Sequence, residues 1–210
     1  MKVVKQSIKD QVYTELKNRI LSRQYEPGCP LNIVHLSQEM GVSNSPIREA
    51  LSMLVNEKLV TVAANTKFRV IKLDENLLQQ LNSAIVSLLI GAARLCFKEQ
   101  HMDVLKESTE NAFLKQCAKE SCASPQERYW LAVEFDRSIV TATNNPMLLG
   151  IFDNWSNLLY LSTSLVSEAY NNSISEHAQI LEAIKEKDFE KIVQKLEQHY
   201  NKHFQPLNVP

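Results

Sequence analysis

The stretch GVSNSPIREALSMLVNEKLV, residues 41–60, constrains the fold more than any other. Gly41 offers a tight turn, Ser43, Asn44 and Ser45 crowd ahead of Pro46, and Ile47, Leu51, Leu54 and Val55 then recur at helical spacing. Proline is tolerated in a first helical turn because the N–H it lacks has no acceptor there. A helix therefore starts here, with Ser43 or Ser45 as its N-cap. The apolar stripe is buried, and Asn44, Ser45 and Arg48 are left on the exposed side of the opening turn. A helix built this way can turn its polar start toward something outside the protein, such as DNA.

The flanking segments give that helix a context. Ile8, Val12, Leu16 and Ile20 recur every fourth residue and predict a first amphipathic helix. EPG at 26–28 signals a turn, and a short second helix is expected over Ile33 to Met40. After Lys58 come two β-prone pieces, LVTV (59–62) and FRVI (68–71), separated by AANTK with turn-forming Asn65. Three helices followed by a hairpin is the winged helix-turn-helix plan.

The run VYTELKNRILSRQYEPGCPLNIVHLSQEMGVSNSPIREALSMLVNEKLVTV resembles the DNA-binding domain of GntR-family transcriptional regulators. Its PG turn, its GVS-x-[ST]-P-[IV]-R-E-A-L signature and its E-x-L-V lead into the wing carry the resemblance. The resemblance implies that Arg48 faces DNA, where its fork can grip phosphate or guanine O6 and N7. Asn44 departs from the arginine common in the family; its amide either pairs with the adenine edge or touches nothing. Ser45 is a phosphate donor or simply a cap. Lys67 and Arg69, near the hairpin tip where the family usually has glycine, are further candidates for phosphate contact. These departures keep a second reading in view: a ligand-sensing or interaction protein on the same scaffold with impaired DNA binding.

Charge agrees with a polyanion-facing head. Residues 1–73 hold 11 Lys and Arg against 6 Asp and Glu, and the remainder holds 12 against 18, inside an overall net charge of −1. The expected domains are a winged helix-turn-helix over 1–73 and an all-α helical bundle for effector binding and dimerisation over 74–210, a mainly α protein. In the second part, six helical patterns run at about 75–100, 103–120, 126–143, 147–168, 174–187 and 189–204, with breaks at Asn144-Asn145-Pro146 and Asn171-Asn172. EFDRSIVTATNNPML and EHAQILEAIKEKDFEKIVQKLEQHY resemble the effector domain of the FadR branch, and six helices match its VanR-like type.

Only 4 glycines in 210 residues disfavour a β-rich or glycine-loop enzyme, and no nucleophile elbow, phosphate loop or HExxH is present, so no enzyme is expected. Cys29, Cys96, Cys117 and Cys122 form no CxxC pair and read as reduced thiols; with no signal peptide in MKVVKQSIKD, a cytoplasmic location is expected. The apolar run SAIVSLLIGAARLCF, interrupted by Gly91 and Arg94, is expected to be a buried helix too short for a bilayer.

Many relatives hold a divalent metal through one Asp and three His: an Asp four residues before a first His, a His in an EH dipeptide, and a last His 22 residues on. Here EH supplies His177, and His199 follows at that spacing, but the first-His position is Asp136 and the Asp position is Ala132. The resemblance thus implies at most a weakly bound divalent metal on Asp136, His177 and His199, the alternative being two histidines satisfied in a polar cavity. His203, one turn on, could supplement the set. Where relatives carry an Arg and a Glu in the first helix of this domain, Ile85 and Leu89 stand here. An effector pocket of Ile85, Leu89, Ala132, Asp136, His177 and His199 would then favour an apolar or neutral small molecule over an organic acid. The expected partners are a double-stranded DNA operator, a second copy in a homodimer and such an effector, with no membrane.

Overall fold

The computed structural model describes residues 7–63, 67–163 and 173–203. The chain forms two compact units, Met1–Asp74 and Glu75–Pro210.

The first unit contains α1 (Ile8–Leu21), β1 (Pro30–Leu31), α2 (Ile33–Met40), α3 (Asn44–Asn56), β2 (Val60–Ala63) and β3 (Lys67–Val70). In α1 the stripe is used from Val12 onward: Val12, Leu16 and Ile20 are buried, whereas Ile8 is 58% exposed because the first turn lies outside the packed face. Ile47, Ala50, Leu51 and Leu54 of α3 are fully buried, each large side chain contributing about 1.5–3 kcal/mol. Polar ties fix the ends. Lys17 reaches Glu57 at 2.8 Å, the Tyr13 hydroxyl donates to the same carboxylate, and Arg19 pairs with Glu39 of α2. Between α2 and α3, Gly41 adopts φ +65°, a left-handed turn that a side chain would strain.

The sheet has three antiparallel strands in the order β1-β3-β2, where the sequence suggested only a hairpin. The extra strand is two residues long and begins with proline, so it carries no alternation to read. It is laid on β3 by Gly28, at φ +81°, whose N–H donates to the Val70 carbonyl, while the Val70 N–H donates to Cys29. The hairpin tip, including Asn65, lies outside the described residues.

The second unit contains, among the described residues, α4 (Glu75–Lys98), α5 (Met102–Lys119), α6 (Pro125–Thr141), α7 (Pro146–Thr163), α8 (Ser173–Lys185) and α9 (Phe189–His203). Ser124 and Glu127 close a capping box at the start of α6. Asn145 accepts from the N–H groups of Met147 and Leu148 to start α7, after Asn144 turns at φ +52°. The Asn171-Asn172 break lies outside the described residues. α5 runs antiparallel to α6, with Ser108 on Ser138, Phe113 on Phe135 and Lys115 on Glu134. α8 lies antiparallel on α5, through Gln116 with Ser173 and Lys185 with Glu110.

α4 corrects one expectation. Its apolar run belongs to a helix of 24 residues, which by length and composition is long enough to cross a membrane. Nor is it buried all round: Leu81, Ile85, Leu89, Ala92, Ala93 and Cys96 form a buried stripe, while Val86 and Ile90 stay half-exposed. The four cysteines are free, and burial pushes the Cys96 thiol up to about 11.

Candidate functional site

The first unit presents one polar surface at the start of α3. Ser43 takes the extended N-cap conformation, but its side chain makes no capping hydrogen bond. Asn44, Ser45 and Arg48 are exposed, and the buried face of the same helix fixes them in place. Ser45 Oγ donates to Glu49 at 3.1 Å, so Ser45 is engaged along the helix surface. On the wing, Lys67 and Arg69 are both exposed on β3, on the same face. Their circumstances differ: the Arg69 guanidinium donates to the Gly28 carbonyl at 3.0 Å and so braces the β1 turn.

The second unit brings Asp136, His177 and His199 together from α6, α8 and α9. One donor atom of each lies within 4.8 Å of the others, and all three residues are buried. His177 Nε2 stands 4.0 Å from Asp136 Oδ1, and His199 Nε2 stands 4.0 Å from Asp136 Oδ2. These separations exceed hydrogen-bond reach. Asp136 Oδ2 accepts from the Tyr200 hydroxyl at 2.7 Å, while its buried Oδ1 has no hydrogen-bond partner among the described residues. Burial pushes the Asp136 carboxyl up, against the opposing pull of His199 and the Tyr200 hydrogen bond.

Behind each imidazole stands a buried acceptor. Gln116 Oε1 lies 2.7 Å from His177 Nδ1, and Glu176 Oε2 lies 2.7 Å from His199 Nδ1. Gln116 is itself held by a bond from its Nε2 to Ser173 Oγ. Phe135 stacks on the His177 ring at 4.1 Å. Glu176 and Tyr200 adjoin the two histidines in EH and HY dipeptides; EH placed His177, but neither dipeptide shows that Glu176 bonds His199 or that Tyr200 bonds Asp136. Gln116 gave none, since it meets His177 across 61 residues.

The donor set fits a divalent transition ion. Bonds of about 2.0–2.1 Å in a tetrahedral shell place ligand atoms roughly 3.3 Å apart. One donor atom from each residue lies within 4.8 Å of the others, so the set would draw together by up to about 1.5 Å around an ion. The orphaned Asp136 oxygen is the acceptor such an ion would satisfy. Ala132, one turn before Asp136, is buried and offers no donor atom. The His203 side chain lies outside what is described.

Ile85 and Leu89 are fully buried on α4. Phe97, near the end of α4, packs on Phe189 at the start of α9, so the two helices run antiparallel. α4 packs along α9, the helix that carries His199, and Ile85 and Leu89 belong to the buried stripe of α4. A separate groove between α5 and α6, lined by Ser108, Lys115, Glu134 and Arg137 among others, contains none of these residues.

Comparison with known proteins bears on both units. Residues 8–70 match the family described as bacterial regulatory proteins, gntR family, and residues 76–202 match the FCD domain. The chain is 24% identical to the uncharacterised HTH-type transcriptional regulator YdhC of Bacillus subtilis, over 91% of this chain and 87% of that one. It is 26% identical to the Nta operon transcriptional regulator of Aminobacter aminovorans, over 89% and 88% of the two. Its fold is similar to that of E. coli McbR/YncC, with a TM-score of 0.63 at 24% identity, covering 94% of this chain and 95% of the other.

Proposed function

The chain belongs to the gntR family of bacterial regulatory proteins and carries an FCD domain, and from that premise we propose that it binds operator DNA and adjusts its grip to a ligand held in the helical unit. The observation that carries the reading is the start of α3, where Asn44, Ser45 and Arg48 are exposed on a helix whose other face is locked into the core. In this reading Arg48 grips a base edge or a phosphate, Asn44 faces adenine, and Ser45 contacts phosphate. Lys67 meets phosphate from the wing. Arg69, already bonded to Gly28, chiefly braces β1 and adds charge to the surface.

Asp136, His177 and His199 would hold a divalent ion, and such an ion, when bound, supplies a Lewis-acidic position for a neutral oxygen or nitrogen donor. With three protein ligands the ion exchanges more readily than in a four-ligand site. Ile85 and Leu89 offer no charge to an organic acid, so the effector is apolar or neutral. In this reading these side chains bind the ion and its ligand. Two copies pair through the helical units, a reading supported by the half-exposed Val86 and Ile90 on α4. The place of action is the cytoplasm, where operator DNA lies.

The test is an electrophoretic mobility shift with duplex DNA from upstream of the protein's own gene, against an unrelated duplex of equal length. A discrete shift confined to the upstream duplex is expected. Equal, diffuse retardation of both duplexes, or none of either, would count against an operator-binding role.

A further inference from the structure

We infer that Glu176 and Gln116 are positioning residues that set the tautomers of the two histidines and so aim both Nε2 atoms at Asp136. The inference rests on the metal reading given above. It starts from the hydrogen-bonding capacity of the groups. An ionised carboxylate only accepts, so the contact of 2.7 Å between Glu176 Oε2 and His199 Nδ1 places the ring hydrogen on Nδ1. At His177 the acceptor is an amide oxygen. Gln116 turns Oε1 toward Nδ1 because its Nε2 is committed to Ser173 Oγ at 3.0 Å, and Ser173 begins the helix that carries His177.

In the neutral ring a hydrogen on Nδ1 leaves the lone pair on Nε2, and each Nε2 stands 4.0 Å from an oxygen of Asp136. The third donor is oriented in the same way: Tyr200 occupies Oδ2 and leaves Oδ1 without a partner among the described residues. All of these supports are buried, with Gln116 1% and Glu176 8% exposed, so water is a poor substitute for them. The supports are also unequal. Glu176 is anionic and makes His199 the stronger donor, whereas Gln116 is neutral and only orients His177. Neither belongs to the ligand set, and each acts through the ring it holds.

The experiment uses the full chain and Zn²⁺ alone as the probe, with affinity read by competition against a chromophoric chelator. Ring tautomers are read from nitrogen NMR of the metal-free protein. Both rings of the wild type should report hydrogen on Nδ1, and Glu176→Gln should weaken Zn²⁺ by about 10–100-fold. Gln116→Glu, which gives His177 a carboxylate of its own, should tighten Zn²⁺; damage to the fold cannot mimic that gain. A wild type that takes up no Zn²⁺ overturns the metal reading itself. Zn²⁺ uptake with unchanged affinity in Glu176→Gln, or without a gain in Gln116→Glu, overturns the positioning roles and leaves the metal reading standing. A wild-type ring with its hydrogen on Nε2 does the same.

Discussion

Glu176 Oε2 lies 2.7 Å from Nδ1 of His199, on the next helix, although the histidine beside it in the chain is His177. The bond joins α8 to α9 at the level of Asp136, so the histidine pair is part of a built polar centre within a mostly apolar core. Whether a ligand occupies that centre should therefore register in the stability of the whole unit.

Metal should bind this centre reversibly. Three ligands and no donor at Ala132 predict that Zn²⁺ is lost on extensive dialysis, and that small carboxylates such as citrate give little thermal stabilisation. Elemental analysis after dialysis and a thermal-shift series are the measurements. A stoichiometric metal that survives dialysis, with strong stabilisation by small carboxylates, would mean that further donors complete the site.

Asn44 should shift sequence preference. It is exposed at the first position of α3, and an amide pairs best with adenine. Selection from random duplexes with wild type and Asn44→Arg should give half-sites that differ at one position, with A on one strand for the wild type. Identical half-sites would remove Asn44 from base reading.

The two wing cations should separate by phenotype. Lys67→Ala should weaken binding to all duplexes alike and lower the salt slope by about 1. Arg69→Ala should act mainly by loosening the turn at Gly28, seen as a lower unfolding midpoint with a smaller change in slope. The opposite pattern would make Arg69 the phosphate contact.

Much of the first unit was legible because its signals are local. Gly41, Pro46 and the spacing of Ile47, Leu51 and Leu54 fix α3 by rules that act within a few residues. β1 was not legible, since two residues led by proline carry no period and take their place only by pairing with β3. Ile8 shares the spacing of Val12, Leu16 and Ile20 and is nonetheless exposed, because spacing reports a face and cannot report where a partner's coverage ends. In the second unit the set of Asp136, His177 and His199 was suggested by the resemblance to metal-holding relatives, since spacing along the chain does not by itself bring three helices together. Gln116 was not readable: its part in the site depends on how α5 meets α8, which is tertiary information.

The protein should be a dimer without DNA. Light scattering at micromolar concentration should give twice the 24.0 kDa of one chain, and Ile90→Lys on the half-exposed face of α4 should lower it. A wild-type mass of one chain would contradict the pairing.

The central claim is that α3 grips DNA through Arg48, and fluorescence anisotropy with the upstream duplex tests it most directly. Wild type and Arg48→Ala would be titrated side by side at several salt concentrations. Arg48 is exposed, and removing its guanidinium should leave the core of α3 intact. Wild-type affinity should fall steeply with salt, and Arg48→Ala should bind more weakly by about 1–3 kcal/mol at a fixed concentration. An Arg48→Ala protein that binds the duplex as tightly as wild type, with the same salt slope, would contradict the account.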